Sequence, residues 1–483
     1  MLYDVIIIGG GAIGCAIARE LSGYKLAIGV LEKNPDIGLE TSGRNSGIIH
    51  AGFNNKSGTL MASYCVKGCE IFPGLCEELG VPYKITGKLV VGFSRSDIEI
   101  LEKLKAQGDS NGCPDLRLIS KKEIREIEPY VDGNAALYSP RTGIFDPFIY
   151  TAALAENALA NGASFFLNTE VSAIEIKENH FDIIASTGKI FQSRWVINSA
   201  GLYADKIARM VGVNEYKIYP CRGEYYVLDK AAMEYLTIPV YPVPNEKEGG
   251  LGIHLTPTTG GNIIIGPSSE YIDDRDDYST TRDTMDMLIR EGSKLMPYIR
   301  KEHFIRAFAG MRPKLASPAQ GGYLDFVIAE KEETPRFIHL VGIESPGLTS
   351  SVPIARDIIS MIKAREPLSE NKAFIRERPR KTRFNELSDR EKADLIRRDP
   401  DYGEVICRCQ QITKREVLEA IHNPLGAHTM VSVKNRTGCM MGRCQGGFCQ
   451  TRIADMIMRE TGKTAEEVLY SKEGGNMFFG SVR

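Results

Sequence analysis

The sequence predicts an α/β protein that ends in a small helical appendage. Three observations carry this reading. A strand, a glycine-rich turn, a helix and a second strand follow one another within the first 32 residues. Two later segments again run a strand or turn into small residues and then a helix. From residue 365 the composition turns to charge, and beyond it five of the chain's 11 cysteines fall within 43 residues. The length of 483 residues suggests two or three domains. A hydrophobic content of 43% and a charged content of 25% are those of an ordinary globular chain. The formal net charge of −2 argues against general attraction to nucleic acid or anionic lipid. No run approaches the roughly 18 apolar residues of a membrane span. MLYDVIIIGGG has no basic leader and no small-residue cleavage site. The expectation is a cytoplasmic protein without a transmembrane segment and without a nucleic-acid partner, with peripheral membrane contact left open. In the cytoplasm, clustered cysteines are more often metal ligands or redox groups than disulfides.

The first element is Asp4 to Ile8, a β-branched run without alternation, as expected of a strand buried on both faces of a parallel sheet. Gly9-Gly10-Gly11-Ala12-Ile13-Gly14 follows at once and matches G-x-G-x-x-G. Cys15 to Ser22 reads as a helix, and Leu26 to Leu31 as a second strand ending at Glu32, 18 positions after Gly14. Each position has a physical task. Gly9 permits the tight turn. Gly11 lets a pyrophosphate approach the helix N-terminus, where free N–H groups and the dipole favour an anion. Gly14 permits close helix–strand packing, and Glu32 is placed for ribose hydroxyls. A tight βα turn without a ligand is the bland alternative.

Thr41 to Gly52 (TSGRNSGIIHAG) is a loop of small and polar residues whose backbone donors suit an isoalloxazine ring and phosphates, with Thr41, Ser42, Asn45 and Ser46 as candidate contacts. Trp195 to Gly201 is a strand ending in small residues, which puts Ala200 and Gly201 at a second edge. Val341 to Ser351 (VGIESPGLTSS) leads into the helix-like IARDIISMI, with Gly342, Gly347, Leu348 and Thr349 as candidate contacts; a glycine-rich turn opening a helix is again an anion or flavin-edge site.

These blocks, in this order, resemble the FAD-dependent oxidoreductases of the glycine oxidase and D-amino-acid oxidase superfamily. SGRNSGIIHAG, CRGEYYVL (221–228), LGIHLTP (251–257), GNIIIGPSSE (261–270) and SPGLTSSVPIA (345–355) look like L-2-hydroxyglutarate oxidase. The resemblance covers about the first 360 residues. It implies a Rossmann-like FAD-binding domain interleaved with a mixed-sheet substrate domain: FAD segments at about 1–80, 145–215 and 325–364, substrate segments at about 81–144 and 216–324. It also implies that Val171, after a strand like Phe165 to Glu170, touches the adenine through its backbone.

The implied reaction is oxidation of a secondary alcohol by hydride transfer to flavin, which needs a base for the hydroxyl proton and cations for the substrate's anionic group. His50 sits in the flavin-contacting loop. His254 lies in an apolar strand, Leu251 to Leu255, where an isolated histidine is commonly a hydrogen-bonded core residue; the resemblance turns it toward the substrate. Either could be the base. Arg312, in FAGMRPK, resembles the superfamily's anion-binding arginine, and its planar guanidinium suits a carboxylate or phosphate bidentately; the competing reading is a surface ion pair. Arg222 and Glu224 are weaker candidates, equally read as a sheet-face salt bridge.

Residues 365–403 read as a charged linker that wraps or spans rather than as a core. Ile412 to Ile421 reads as an amphipathic helix with Thr413 as N-cap and Glu416 completing a capping box, and a last helix runs from Gln450 to Glu460. Cys407, Cys409, Cys444 and Cys449 form a four-thiolate set, which selects iron–sulfur or zinc. Spacing alone equally permits Cys439 with Cys444. The 404–483 segment resembles the bacterioferritin-associated-ferredoxin-like 2Fe–2S domain, in the version fused to catalytic subunits of anaerobic glycerol-3-phosphate dehydrogenase; MMGRCQGGFC departs from that pattern only at Met440. This resemblance assigns Cys444 and Cys449 as ligands and leaves Cys439 spare. The expectation is an FAD and 2Fe–2S dehydrogenase acting on sn-glycerol 3-phosphate and relaying electrons to a second flavoprotein or electron-transfer subunit. L-2-hydroxyglutarate is the alternative substrate, an amine or amino acid the third, and a redox-binding protein with an idle flavin fold the reading from a different class.

Overall fold

In the computed structural model, which describes residues 1–244 and 251–480, two large sheets carry the first 363 residues. The opening strand, Leu2–Ile8, pairs in parallel with Ile28–Leu31 on one side and with Ile190–Asn198 on the other, with Ile7 opposite Val30 and Ile197. Ser164–Phe166 extends the sheet beyond Ile28–Leu31, and Thr334–Val341 joins it beside Val196–Asn198, again in parallel. Helices Ala12–Ser22, Pro147–Ala160 and Gly347–Lys363 cover one face. Ile7, Ile17, Leu21, Leu154, Ile197 and Ile358 are fully buried there. Burial on both faces explains why the opening strand lacks alternation.

The second sheet has nine strands drawn from two separated stretches, 88–139 and 219–314. Val240–Pro242 pairs in parallel with Lys88–Gly92, whereas its other neighbours run antiparallel, so the sheet is mixed. Its longest pairing sets Tyr219–Leu228 against Phe304–Lys314, with Cys221 opposite Arg312.

The C-terminal region folds around a short strand pair, Val405–Cys407 with Ile412–Thr413, and helices Lys414–Ile421, Met430–Thr437 and Gln450–Thr461. The Thr413–Glu416 capping box is present. Its own core is formed by Ile406, Val417, Ile421, Val433, Ile453 and Ile457.

Three local expectations differ from the structure. The strand expected over Phe165 to Glu170 stops at Phe166, because Asn168 adopts a left-handed φ of 51° and Asn168 and Thr169 hydrogen-bond back to Asn34 and Glu32. Val171 therefore opens the next strand, Val171–Ile176. The strand holding His254 begins at that residue rather than at Leu251, since Gly252 has a φ of 74°. The 365–403 stretch runs along helices that border the first sheet: Asn371 bonds to Ser22 and Arg378 to Leu79 and Glu156. It also contains a helix, Asp389–Arg398, started by a Ser388–Glu391 capping box. That helix buries no residue, so hydrophobic patterning could not announce it.

Candidate active site and cluster site

The glycine turn closes as its spacing requires. Gly9 has a φ of 107°, and a Cβ on Gly14 would stand 2.0 Å from the Gly9 carbonyl oxygen. A Cβ on Gly11 would meet only the Ser42 hydroxyl, at 3.1 Å, so the space over that residue is open. The Ala12–Ser22 helix begins there with no side-chain cap on Gly11, and the Ala12 N–H donates to Ser42 Oγ at 2.9 Å. A cavity of about 200 Å³ opens beside the turn, lined by Gly9, Gly11, Glu32, Ser42, Val171, Ala200 and Gly201 among others. Glu32 is buried, which raises its carboxyl, and it accepts hydrogen bonds from the Gly10 N–H at 2.7 Å and the Asn34 N–H at 2.8 Å. Open space over a glycine, a helix N-terminus whose N-cap residue offers no side chain, and a buried acid fit a dinucleotide's pyrophosphate and ribose.

A larger cavity of about 970 Å³ continues from Thr41 and Ser42 to the second sheet. Asn45, Ser46, His50, His254, Arg312, Gly347, Leu348 and Thr349 all line it. Asn45 stiffens the loop by donating to the Ser42 carbonyl at 2.8 Å and accepting from the Gly47 N–H at 2.9 Å. Gly342 lies outside both linings; its φ of 72° turns the chain into Ile343 and Glu344, which do line the larger cavity.

The two histidines have different supports. The His50 N–H donates to Thr349 Oγ1 at 3.1 Å, and its ring Nε2 lies 3.3 Å from Ser345 Oγ. His254 stacks on Tyr241, with ring centroids 3.9 Å apart, and its Nδ1 is 3.0 Å from Thr256 Oγ1. Burial, with Lys88 second, lowers His50 to about 3 and pushes His254 well below the usual imidazole range. Both rings are therefore neutral at pH 7. Arg312 donates to the Ser268 carbonyl at 2.6 Å and, among the described residues, has no carboxylate within ion-pair distance. That corrects the surface-ion-pair reading: the guanidinium is a free cation in a cavity wall. Arg222 and Glu224 are the opposite case. Arg222 is taken up by Asp277 at 2.6 Å and Glu270 at 2.7 Å, while Glu224 accepts from the Thr281 N–H at 2.6 Å, so both buried side chains are already engaged by residues at the sheet's edge and in the 277–281 loop.

Lys88 was not singled out from the sequence. It is 1% exposed, and its ammonium sits over the rings of Tyr241 at 4.0 Å and Phe53 at 4.6 Å, with burial lowering it to about 7. A lysine opening the wholly buried strand KLVVG was the available signal.

At the C-terminal region the Cys409 and Cys444 sulfurs are 3.4 Å apart, and the neighbouring Cys449 thiol is the first cause that lowers Cys407 to about 6. Among the described residues, no three His, Cys, Asp or Glu side chains converge on one metal position. Four thiols from two parts of the chain are a soft donor set of the kind that holds a 2Fe–2S cluster or zinc. Cys439 is fully buried in the core, which pushes its thiol up to about 12.

The comparisons agree with this geometry. The family described as FAD dependent oxidoreductase matches residues 4–361, and the family described as BFD-like 2Fe-2S binding domain matches residues 405–459. The chain is 39% identical to a glycerol 3-phosphate dehydrogenase of Caloramator mitchellensis over 485 aligned residues, covering 100% of this chain and 99% of that protein. It is 31% identical to the mitochondrial L-2-hydroxyglutarate dehydrogenase of Homo sapiens, covering 75% of this chain and 89% of the other. Among solved structures, the L-alpha-glycerophosphate oxidase of Mycoplasma pneumoniae with FAD bound superposes with a TM-score of 0.73 at 30% identity, over 78% of this chain and 98% of that one. The chain belongs to the FAD-dependent oxidoreductase family and carries, after its flavin fold, a BFD-like domain for a 2Fe–2S cluster.

Proposed function

We propose that the protein oxidises sn-glycerol 3-phosphate to dihydroxyacetone phosphate and sends the electrons through the 2Fe–2S cluster to a partner subunit. The observation that carries this reading is Arg312. Among the described residues its guanidinium has no carboxylate within ion-pair distance; it lines the same cavity as two histidines, and that cavity continues toward the open glycine turn. An anionic secondary alcohol needs one group for its anion and one for its hydroxyl proton. Similarity along the whole chain, cluster domain included, to a glycerol 3-phosphate dehydrogenase supports the substrate. L-2-hydroxyglutarate is the second reading, favoured by the relatives that match about three quarters of the chain.

In this reading Gly9, Gly11, Gly14 and Glu32 hold the dinucleotide, with Val171, Ala200 and Gly201 at its adenine side. Thr41, Ser42, Asn45, Ser46, Gly342, Gly347, Leu348 and Thr349 shape the pocket for the ring. FAD, when bound, supplies the two-electron acceptor. Arg312 binds the phosphate bidentately and orients the carbinol. His50 or His254 takes the hydroxyl proton; Ser345 holds the ring of the first and Thr349 its backbone N–H, while Tyr241 and Thr256 orient the second. Cys407, Cys409, Cys444 and Cys449 hold the cluster, which supplies one-electron steps. Residues 1–364 form the oxidoreductase unit, 365–403 the linker and 404–483 the cluster unit. Among the described residues no helix is long and apolar enough to cross a membrane, and we assign the protein to the cytoplasm. Anaerobic mixing with each substrate, followed by flavin absorbance, tests the reading: bleaching by glycerol 3-phosphate supports it, and bleaching by L-2-hydroxyglutarate alone replaces it with the second.

A further inference from the structure

A third cavity, of about 700 Å³, lies where the cluster region meets the second sheet and the start of the Pro147–Ala160 helix. The Gly43–Gly47 loop, the second sheet through Arg306 and Phe308, and the Met430–Thr437 helix through Lys434 all contribute to its lining. Arg44 lines this cavity and the substrate-side cavity alike.

Its charges are the unusual feature. Arg44 stacks on Tyr278 at 4.2 Å and donates only to backbone carbonyls, those of Leu39 and Ala309. Arg306 donates to the Gln445 side-chain oxygen at 3.2 Å. Lys434 is 9% exposed and, among the described residues, its ammonium has no hydrogen-bond partner. Among the described residues none of the three has a carboxylate within ion-pair distance, although acids in the same lining are already engaged: Glu40 with Lys33 and Tyr278, Asp146 with Arg383, Asp276 with Lys472. Burial, then Arg306 and Arg44, lowers Lys434 to about 7. A fold that buries a lysine against two guanidiniums incurs desolvation and repulsion together, and a cation held this way is normally paired.

We propose that Arg44, Arg306 and Lys434 form a binding site for a phosphate group, free or as a monoester, between the oxidoreductase fold and the cluster domain. The three cations come from three separate parts of the fold, so one anion bound among them would hold those parts together. A carboxylate offers two oxygens and one charge. A phosphate offers three or four oxygens and nearly two charges, which matches three cationic side chains lining one cavity. The cavity volume also accommodates an organic portion on the phosphate.

The test uses full-length protein loaded with FAD and cluster, at matched ionic strength. Orthophosphate and glycerol 2-phosphate are titrated separately against wild type, Arg312→Met, Lys434→Met and Arg306→Met, reading calorimetric Kd and Tm. Ligand bound only to the native state raises Tm by mass action. The site predicts a rise in wild type that persists in Arg312→Met, which removes the catalytic cation, and a Kd weakened at least about tenfold in Lys434→Met and Arg306→Met. Tighter binding of glycerol 2-phosphate identifies an ester as the natural form; equal or tighter orthophosphate identifies the free anion. Without phosphate, Lys434→Met should be at least as stable as wild type, because it removes the repulsion. The proposal is overturned if Lys434→Met keeps the wild-type response, if chloride reproduces the shift, or if Lys434→Met is destabilised without phosphate, which would make the lysine a structural partner.

Discussion

Arg436 and Asp36, 400 positions apart, form a buried bidentate ion pair, with Nη1 2.5 Å from Oδ2 and Nη2 2.9 Å from Oδ1. Both side chains are at most 3% exposed. Arg436 lies on the Met430–Thr437 helix of the cluster region, and Asp36 four residues beyond Glu32. The pair fastens the cluster region to the loop that leaves the dinucleotide site. Asp36→Asn leaves the guanidinium with Glu156 at 3.6 Å as its remaining acid partner. Breaking a buried pair costs about 3–5 kcal/mol, and the retained contact puts the expected loss near the lower figure. Thermal unfolding should show a lower Tm, and protease should cut the 365–403 segment faster. An unchanged Tm would show that the domains are held elsewhere.

The glycine turn predicts a graded effect on FAD. Gly14→Ala places a Cβ 2.0 Å from a backbone oxygen and should separate strand from helix, losing both FAD and stability. Gly11→Val meets only the Ser42 hydroxyl in the protein, so the chain should fold while the pyrophosphate's approach is blocked. The ratio of flavin to protein absorbance measures both. A Gly11→Val protein with a full complement of FAD would falsify the assignment.

Arg312→Lys keeps the charge and loses the fork. Charge-assisted bonds of this kind are worth about 1.5–3 kcal/mol, so KM for glycerol 3-phosphate should rise about ten- to a hundredfold while FAD content holds. Steady-state kinetics on flavin-saturated enzyme decide it; an unchanged KM moves the anion site away from Arg312.

For the cysteines, each of Cys407→Ser, Cys409→Ser, Cys444→Ser and Cys449→Ser should lose or destabilise the cluster, and Cys439→Ser should keep it. Iron content and the paramagnetic resonance signal of the reduced protein are the readouts. Flavin bleaching by substrate should survive in all five, because the proton and anion contacts lie in the other domain. Loss in Cys439→Ser with retention in Cys449→Ser would transfer the ligand pair to Cys439 and Cys444.

His50 predicts a pH signature in stability. Its native value of about 3 lies below the ordinary imidazole value of about 6.5 expected in the unfolded chain. Between those values the unfolded state holds a proton that the native state does not. Stability is therefore full above about pH 6.5 and falls as pH drops toward 3. His50→Gln should flatten the decline of Tm between pH 6.5 and 4; an unaltered slope would mean that His50 titrates normally in the native protein.

The features that the sequence determined by itself are those whose causes act within a few residues. The Gly9–Gly14 turn, the helix behind it and the Thr413–Glu416 capping box each depend on backbone geometry and hydrogen bonds inside one turn or one βαβ unit. The presence of a soft-ligand cysteine cluster is a matter of composition, whereas the proposed choice of Cys449 over Cys439 as a ligand rests on resemblance. The capped Asp389–Arg398 helix had a readable Ser388–Glu391 signal but no buried stripe to draw attention to it. What only the tertiary structure decided were the charge partnerships. Arg222 and Arg312 sit in adjacent strands and look alike in sequence, yet Glu270 and Asp277 reach the first and, among the described residues, no acid lies within ion-pair distance of the second. The stack of Tyr241 on His254, the burial of Lys88 against that tyrosine, and the meeting of Arg44, Arg306 and Lys434 depend on strand register and on how the cluster region docks. An ion pair or its absence is set by ångström-scale distances between groups that can lie hundreds of positions apart, and no periodicity in the chain encodes those distances.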